Sequence, residues 1–406
     1  MKSRKNSSSG SARRRVAVMG STGSIGRQTL DIIGAFPGEF EAVALTANTN
    51  WEALAAQALS HRPALVAIAD EQCLEPLREA LAGTGIRVAA GKEALVEAAT
   101  LEEADTVVGA LVGYSGLDST IAALEAGKSV ALANKETLVV AGEIISRIVS
   151  RKKKRIIPVD SEHSAIFQCL WGEQPRAASR IILTASGGPF RTLSRSRLEN
   201  VTLSQALSHP NWNMGMKVTI DSATMMNKGF EMIEARWLFD MAPQDIEVLV
   251  HPESIVHSMV EFVDGSVKAQ LGLPDMHLPI AVALGYPHRL DLLGKMGTRR
   301  LNLAEIGKLT FETPDFNKFP LLSLAYAAAE RGGLVPALMN AANEVAVKAF
   351  AEGRIGFNDI SRVVISTVND TKGAFRDEAV TLASIAEAHK EGTKIAFEHT
   401  FKIIKK

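Results

Sequence analysis

The sequence predicts an α/β fold with an N-terminal Rossmann-like parallel sheet, a central α+β catalytic domain and a C-terminal helical bundle. Three observations predict it. Short apolar strands alternate with helix-periodic stretches as far as about Arg155. Gly20, Gly23 and Gly26 stand between the first strand and the first helix, as a nucleotide-binding turn requires. From LLSLAYAAAERGG onward the chain is rich in Ala and keeps a helical period.

Taken in order, residues 1–15 are basic, Ser-rich and devoid of acid, and read as a disordered tail rather than a targeting segment. Residues 16–155 form the nucleotide-binding domain: strands RVAVMG, FEAVALTAN, PALVAIAD, TVVGALVG and KSVALANK, with helices RQTLDIIGAF, WEALAAQAL and STIAALEAG between them. Residues 156–285 change pattern. Strands IIPVD, RIILTAS, IEVLVHP and SVKAQLG alternate with two convincing helices, HSAIFQCL and NKGFEMIEARWLF, which predicts a second, α+β domain. Residues 286–314 are punctuated by Gly and Pro and read as a linker, and residues 315–406 as the helical domain.

Composition narrows the function classes. Lys plus Arg equals Asp plus Glu at 45 each, so no global field favours nucleic acid or an anionic membrane. No apolar run reaches the length of a membrane span. The two cysteines, Cys73 and Cys169, have no metal-type spacing and suit a reducing, cytoplasmic setting.

The GxxGxxG turn lets backbone N–H groups approach a pyrophosphate at a helix start. The spacing alone fits a tight strand-to-helix turn equally well; the surrounding βαβ alternation favours a cofactor. At the end of the second strand an NAD enzyme usually carries an acid for the ribose diol. Here Ala47-Asn48-Thr49-Asn50 has none, which permits NADPH, and Arg27 reads either as a solvent-facing residue or as a source of charge for a 2′-phosphate.

Asp160 and Glu162 are two residues apart at the end of IIPV, so in an extended strand both face one side. Paired carboxylates repel unless a proton or cation separates them, and Mg²⁺ or Mn²⁺ is the natural hard cation. An isolated DSE triplet is more often an exposed acidic turn. The stretch TIDSATMMNKGFEMIEA weakens that reading: it gathers Ser222, Asn227, Lys228 and Glu231, with Asn227 and Glu231 one helical turn apart. Lys228 and neutral donors suit a phosphate; Glu231 suits the metal. LTASGGPF ends a strand with Ser186 and two glycines, another place for an anion. SHPNWNMGMK, with His209, Trp212 and Gly215, reads either as a lid over the substrate or as a surface loop with a packed Trp. His251, His257 and His277 lack zinc-site spacing and read as structural.

Together GSTGSIG, ALANKETLV, PVDSEHSAIFQ, LTASGGPF, HPNWNMGMKVTIDSATMMNKGFEMIEA, HPESIVHSMVEF and NAANEVAVKAF resemble the 1-deoxy-D-xylulose 5-phosphate reductoisomerase family, in the same order from about residue 16 to about residue 360. The resemblance implies conversion of 1-deoxy-D-xylulose 5-phosphate to 2-C-methyl-D-erythritol 4-phosphate in the non-mevalonate route to isoprenoid precursors. It implies NADPH, a divalent metal (Mg²⁺, Mn²⁺ or Co²⁺) and a homodimer. Carried over by position, it implies metal ligands Asp160, Glu162 and Glu231. Lys135, Ser161, Glu162 and His209 would be catalytic. Those four would also bind substrate, with Ser186, Ser222, Asn227, Lys228 and Glu231. Thr22, Gly23, Ser24, Ile25, Asn48, Asn50, Asn134, Glu136 and Gly215 would contact NADPH. The chain departs from many family members at Asn48 and Thr49, where they carry Gly and a basic or small residue.

Two other readings compete. An NADP-linked dehydrogenase acting on a phosphorylated substrate without rearrangement would need no paired-carboxylate metal site. A non-catalytic nucleotide sensor would be expected to have lost part of the ligand set, yet the three carboxylates and Lys228 are all present.

Overall fold

The computed structural model describes residues 13–212, 214–371, 375 and 378–405. The basic tail lies outside the described residues up to position 12, and the first strand begins at Arg14. The chain forms two compact units. The first comprises Met1–Leu111, Asp118–Ala133 and Ile280–Thr298; the second comprises Val112–Leu117, Asn134–Pro279 and Arg299–Lys406.

Six strands lie in the first unit: β1 (Arg14–Met19), β2 (Phe40–Ala47), β3 (Leu65–Ile68), β4 (Arg87–Ala90), β5 (Thr106–Gly109) and β6 (Ser129–Leu132). They run in the order β4-β3-β2-β1-β5-β6, parallel at every pairing. Val16, Ala17, Val18, Leu65, Val66 and Ile68 are fully buried, which is why these strands read as unbroken apolar runs rather than alternating ones. The strand order reverses at β1, between β2 and β5, and such a switch point opens a crevice beyond the carboxyl ends of the strands. The glycine turn sits there. Gly20 has φ +83°, and a Cβ on it would lie 2.7 Å from the carbonyl oxygen of Ala110, just past β5. A Cβ on Gly26 would run into the Gly20 carbonyl oxygen and Ser21 Cα. The helix Ser24–Ala35 can start so close to the turn only because both positions lack a side chain.

The second unit contains β7 (Ile156–Pro158), β8 (Ala178–Ala185), β9 (Ile246–Val250), β10 (Val256–Phe262) and β11 (Val267–Leu271). β8 to β11 form a mixed sheet in the order β11-β10-β8-β9: β10 is antiparallel to β11 and β8, and β8 is parallel to β9. The helical region is built on Val335–Ala351, buried along nearly its whole length, with Phe357–Asp370 and Leu382–Ile404 packed against it. A Cβ on Gly392 would meet Ala341 Cβ at 3.2 Å, so the Ala-rich composition serves close helix approach.

The structure corrects several local expectations. Beyond the two helices read from the sequence, the central region also contains Leu203–Ala206, Met216–Ala223 and His277–Gly285. Residues 286–314, read as a linker, hold short helices at Leu292–Met296 and Leu303–Ile306, each started by an Asx cap, Asp291 or Asn302. Among the described residues no helix is long and apolar enough to cross a membrane.

Candidate functional site

Asp160, Ser161 and Glu162 do not lie on an extended strand. β7 ends at Pro158, and Asp160 is the N-cap of the helix Ser161–Cys169, with its carbonyl oxygen accepting from Ser164 N at 2.8 Å. An acid is favoured at a cap and in a first turn, because unpaired N–H groups face it there. The carboxylates of Asp160 and Glu162 therefore converge through helix-start geometry rather than through strand period. The Ser161 hydroxyl donates to Glu162 Oε2 at 2.6 Å.

Glu231 reaches the same place from the buried helix Met226–Phe239, and ligand oxygens of Asp160, Glu162 and Glu231 all lie within 4.8 Å of one another. Two ammoniums bind this triad. Lys135, first residue of the helix Lys135–Lys152, places Nζ 2.6 Å from Asp160 Oδ2 and 2.9 Å from Glu231 Oε1, and donates to Asn227 Oδ1 at 2.9 Å. Lys228 Nζ lies 2.8 Å from Glu162 Oε1 and also bonds Glu231 Oε2. Asn227 donates to Glu231 Oε1, so the shared helical face expected for these two is realised. Burial opposes the charged form of both lysines, but the carboxylates outweigh it: Lys135 is held well above the ordinary lysine range and Lys228 above it. Three carboxylates against two ammoniums leave a surplus negative charge on hard oxygen donors. That donor set fits Mg²⁺ or Mn²⁺.

Ser186 follows β8 directly, and its hydroxyl meets His209 Nε2 at 3.0 Å. His209 Nδ1 accepts from the backbone N–H groups of Asn211 (3.2 Å) and Trp212 (3.0 Å), so the ring proton is on Nε2. Burial lowers the His209 pKa, Glu162 raises it and Lys228 lowers it, with a net fall that keeps the imidazole neutral. Ser222, on the helix Met216–Ala223, is drawn close to this loop: Gly188 has φ +67°, and a Cβ there would lie 2.6 Å from the Ser222 carbonyl oxygen. Trp212 is half-buried with its ring 6.2 Å from that of His257, and Asn211 Nδ2 donates to Pro252 O and Ser254 Oγ, both at 2.8 Å. Gly215 is exposed and caps the helix Met216–Ala223.

Of the residues assigned to NADPH, Thr22, Gly23, Ser24, Ile25, Asn48 and Asn50 lie in the first unit. Gly23 is the N-cap of the first helix, Asn48 and Asn50 are exposed beyond β2, and Asn50 caps the helix Trp51–His61. The glycine turn and this uncrowded helix start fit a pyrophosphate. Arg27 Nη1 donates to the Thr22 carbonyl at 2.8 Å. Asn134 and Glu136 lie in the second unit and are buried. Asn134 Oδ1 caps the helix through Thr137 N at 3.0 Å, and Glu136 Oε1 accepts from Lys217 Nζ at 2.6 Å.

Two clusters escaped the sequence reading. His163 and Glu234 are fully buried beside the triad, 3.4 Å apart. Lys217 sits between Glu136 and Asp221. The signals were there, Glu234 three residues after Glu231 and Lys217 four before Asp221, but a helical offset marks a shared face without saying whether that face is solvent or core. His251 is structural, as expected: its Nε2 accepts from Ile255 N and Val256 N, both at 3.1 Å, and its Nδ1 donates to Thr310 O at 2.8 Å.

Comparison with known proteins gives a consistent result. Three family models match: 1-deoxy-D-xylulose 5-phosphate reductoisomerase over residues 16–142, its C-terminal domain over 156–239, and DXP reductoisomerase C-terminal domain over 271–395. The 1-deoxy-D-xylulose 5-phosphate reductoisomerase of Chloroherpeton thalassium is 54% identical over 351 residues, 86% of this chain and 90% of its own. That of Heliobacterium modesticaldum is 56% identical over 353 residues, 86% and 89%. The Zymomonas mobilis enzyme in complex with NADPH superposes with a TM-score of 0.88 at 43% identity, covering 97% of this chain and 99% of its own. A reductoisomerase in complex with NADPH, fosmidomycin and magnesium superposes with a TM-score of 0.90 at 41% identity, with the same coverage. The sequence motifs, the fold and these matches agree, and the chain belongs to the 1-deoxy-D-xylulose 5-phosphate reductoisomerase family.

Proposed function

We propose that this chain rearranges 1-deoxy-D-xylulose 5-phosphate and reduces it with NADPH to 2-C-methyl-D-erythritol 4-phosphate, on the non-mevalonate route to isoprenoid precursors. The observation that carries the reading is the meeting of Asp160, Glu162 and Glu231 with Lys135 and Lys228. The three carboxylates would hold Mg²⁺ or Mn²⁺, which when bound supplies a Lewis acid that polarises the substrate ketone and eases deprotonation of the neighbouring hydroxyl.

The protein's own groups orient the substrate. Lys135, held charged by Asp160 and Glu231, offers an ammonium and no lone pair, so it stabilises negative oxygen at the reacting end rather than taking a proton. Ser161 supplies a hydroxyl next to Glu162. Ser186, His209, Ser222, Asn227 and Lys228 hold the substrate, chiefly its phosphate, with the His209 Nε2–H as one donor. The binding energy of the phosphate is spent on orienting the reacting end. The loop bearing His209 and Trp212 shields the reactive carbonyl stage from water. Thr22, Gly23, Ser24, Ile25, Asn48, Asn50, Asn134, Glu136 and Gly215 are the proposed NADPH contacts. A homodimer in the cytoplasm completes the reading, and the free cysteines Cys73 and Cys169 suit a reducing compartment.

The test is turnover by the purified chain with 1-deoxy-D-xylulose 5-phosphate, NADPH and Mn²⁺, before and after chelation. NADPH consumption that stops on chelation and returns with Mn²⁺ or Mg²⁺ is expected. Absence of consumption overturns the function, and chelator-insensitive turnover overturns the metal role.

A further inference from the structure

Lys217 lies two residues beyond Gly215, where the loop bearing His209 and Trp212 gives way to the helix Met216–Ala223. Its Nζ is 2.6 Å from Glu136 Oε1 and 3.0 Å from Asp221 Oδ2, and 5.1 Å from the centre of the Phe230 ring. Asn343 Nδ2, on the central helix of the C-terminal bundle, donates to Asp221 Oδ1 at 2.7 Å. Glu136 is 6% exposed, Asp221 2% and Asn343 0%. This part-buried ammonium and its partners thus join four helices of the second unit. Burying charge is expensive, and such clusters secure register more dependably than they add stability.

What this cluster holds in register is specific. Glu136 directly follows Lys135, whose ammonium spans Asp160 and Glu231, so the first turn of one helix faces the carboxylate triad with one residue and Lys217 with the next. From Lys217 the chain runs back through Gly215 to Trp212 and His209. We propose, resting on the reductoisomerase reading, that Lys217 is a positioning residue: it clamps the segment that carries His209 and Trp212, through the start of its own helix, to the helix start that presents Lys135, so that segment and carboxylate site keep one fixed relation. Lys217 acts through Glu136 and the loop.

The experiment compares Lys217→Gln and Lys217→Arg with the wild-type enzyme. It measures KM for 1-deoxy-D-xylulose 5-phosphate, kcat, melting temperature, and the rate of chymotryptic cleavage after Trp212 at a temperature where each protein is folded by circular dichroism. For Lys217→Gln, KM rises about tenfold, kcat falls less than about threefold, and cleavage after Trp212 quickens about tenfold. Lys217→Arg, which keeps the charge, stays within about threefold of wild type in all three. A Lys217→Gln enzyme with KM and cleavage rate within about twofold of wild type, and only its melting temperature lowered, overturns the proposal. Should Lys217→Gln not fold, Asp221→Asn loosens one side of the cluster while keeping its shape; a shift of at least about threefold in KM and cleavage supports the clamp, and a smaller one overturns it. The two readings separate cleanly: no turnover by the wild type sinks the reductoisomerase function, while loop cleavage still tests the clamp.

Discussion

His163 donates its Nε2 proton to the backbone carbonyl of Glu231 at 2.8 Å, so the helix that begins beside Asp160 and Glu162 is bonded to the helix that carries the third carboxylate. The other ring nitrogen, Nδ1, faces Glu234 Oε2 at 3.4 Å, with both side chains fully buried. Burial pushes the His163 pKa down, and burial, reinforced by the Asp160 charge, pushes that of Glu234 well up. Burial thus favours the neutral form of each group.

Replacing His163 by Leu removes the side-chain hydrogen bond to the Glu231 carbonyl, at a cost of about 1 kcal/mol. Urea denaturation measures that loss. Because the bond also fixes the spacing of the carboxylates, Mn²⁺ affinity is expected to fall by about tenfold or more, read by metal titration of activity. Unchanged affinity in a destabilised variant would confine His163 to a folding role.

Glu231→Gln keeps the shape of the buried helix and removes one carboxylate charge from the triad. Turnover is expected to fall on the order of a hundredfold or more. NADPH binding, followed by fluorescence titration, stays near wild type. Equal loss of both would mean that Glu231 supports the fold.

Trp212 is half-buried on a loop anchored through Asn211. Trp212→Ala is expected to raise KM for the substrate about tenfold while lowering the melting temperature by only a few degrees. A collapse of the melting temperature would reassign the ring to core packing.

Away from the site, partial burial pushes the Asp105 carboxyl up, but the Arg15 guanidinium and the Arg15 backbone N–H, 2.9 Å from Oδ2, hold its pKa below the usual value. A carboxyl depressed in the folded state contributes stability that is present above the unfolded pKa and is lost as pH falls through the folded one. Asp105→Asn should therefore lower the melting temperature at pH 7 by a few degrees at most, and the difference from wild type should shrink below about pH 4. A difference that persists at pH 3 would exclude the ionic origin.

Much of the fold was legible because its signals are local. The apolar run from Val16, the glycine turn and the helix after it appear where the period places them, as do β2, β3, β5, β6, β8 and β9. β4, with the sequence Arg-Val-Ala-Ala at the sheet edge, carried too weak an apolar run to stand out, and β10 lay in a segment notable for its histidines. The DSE triplet was placed on a strand because IIPV is apolar; Pro158 ends that strand and Asp160 caps a helix instead.

Local sequence dictates which elements form and which chemical groups are on offer: three carboxylates, two lysines and a glycine turn, in an order that marks the family. Periodicity and turn residues act over a few positions, so one sequence suffices to read them. Which charge meets which is fixed by packing between distant segments. Lys135 contacts a carboxylate 96 positions away, and Lys217 contacts one 81 positions away. Such pairings depend on how buried helices pack, where a charge that finds no partner costs several kcal/mol. The same packing sets His163 beside Glu234 and places Lys217 between Glu136 and Asp221.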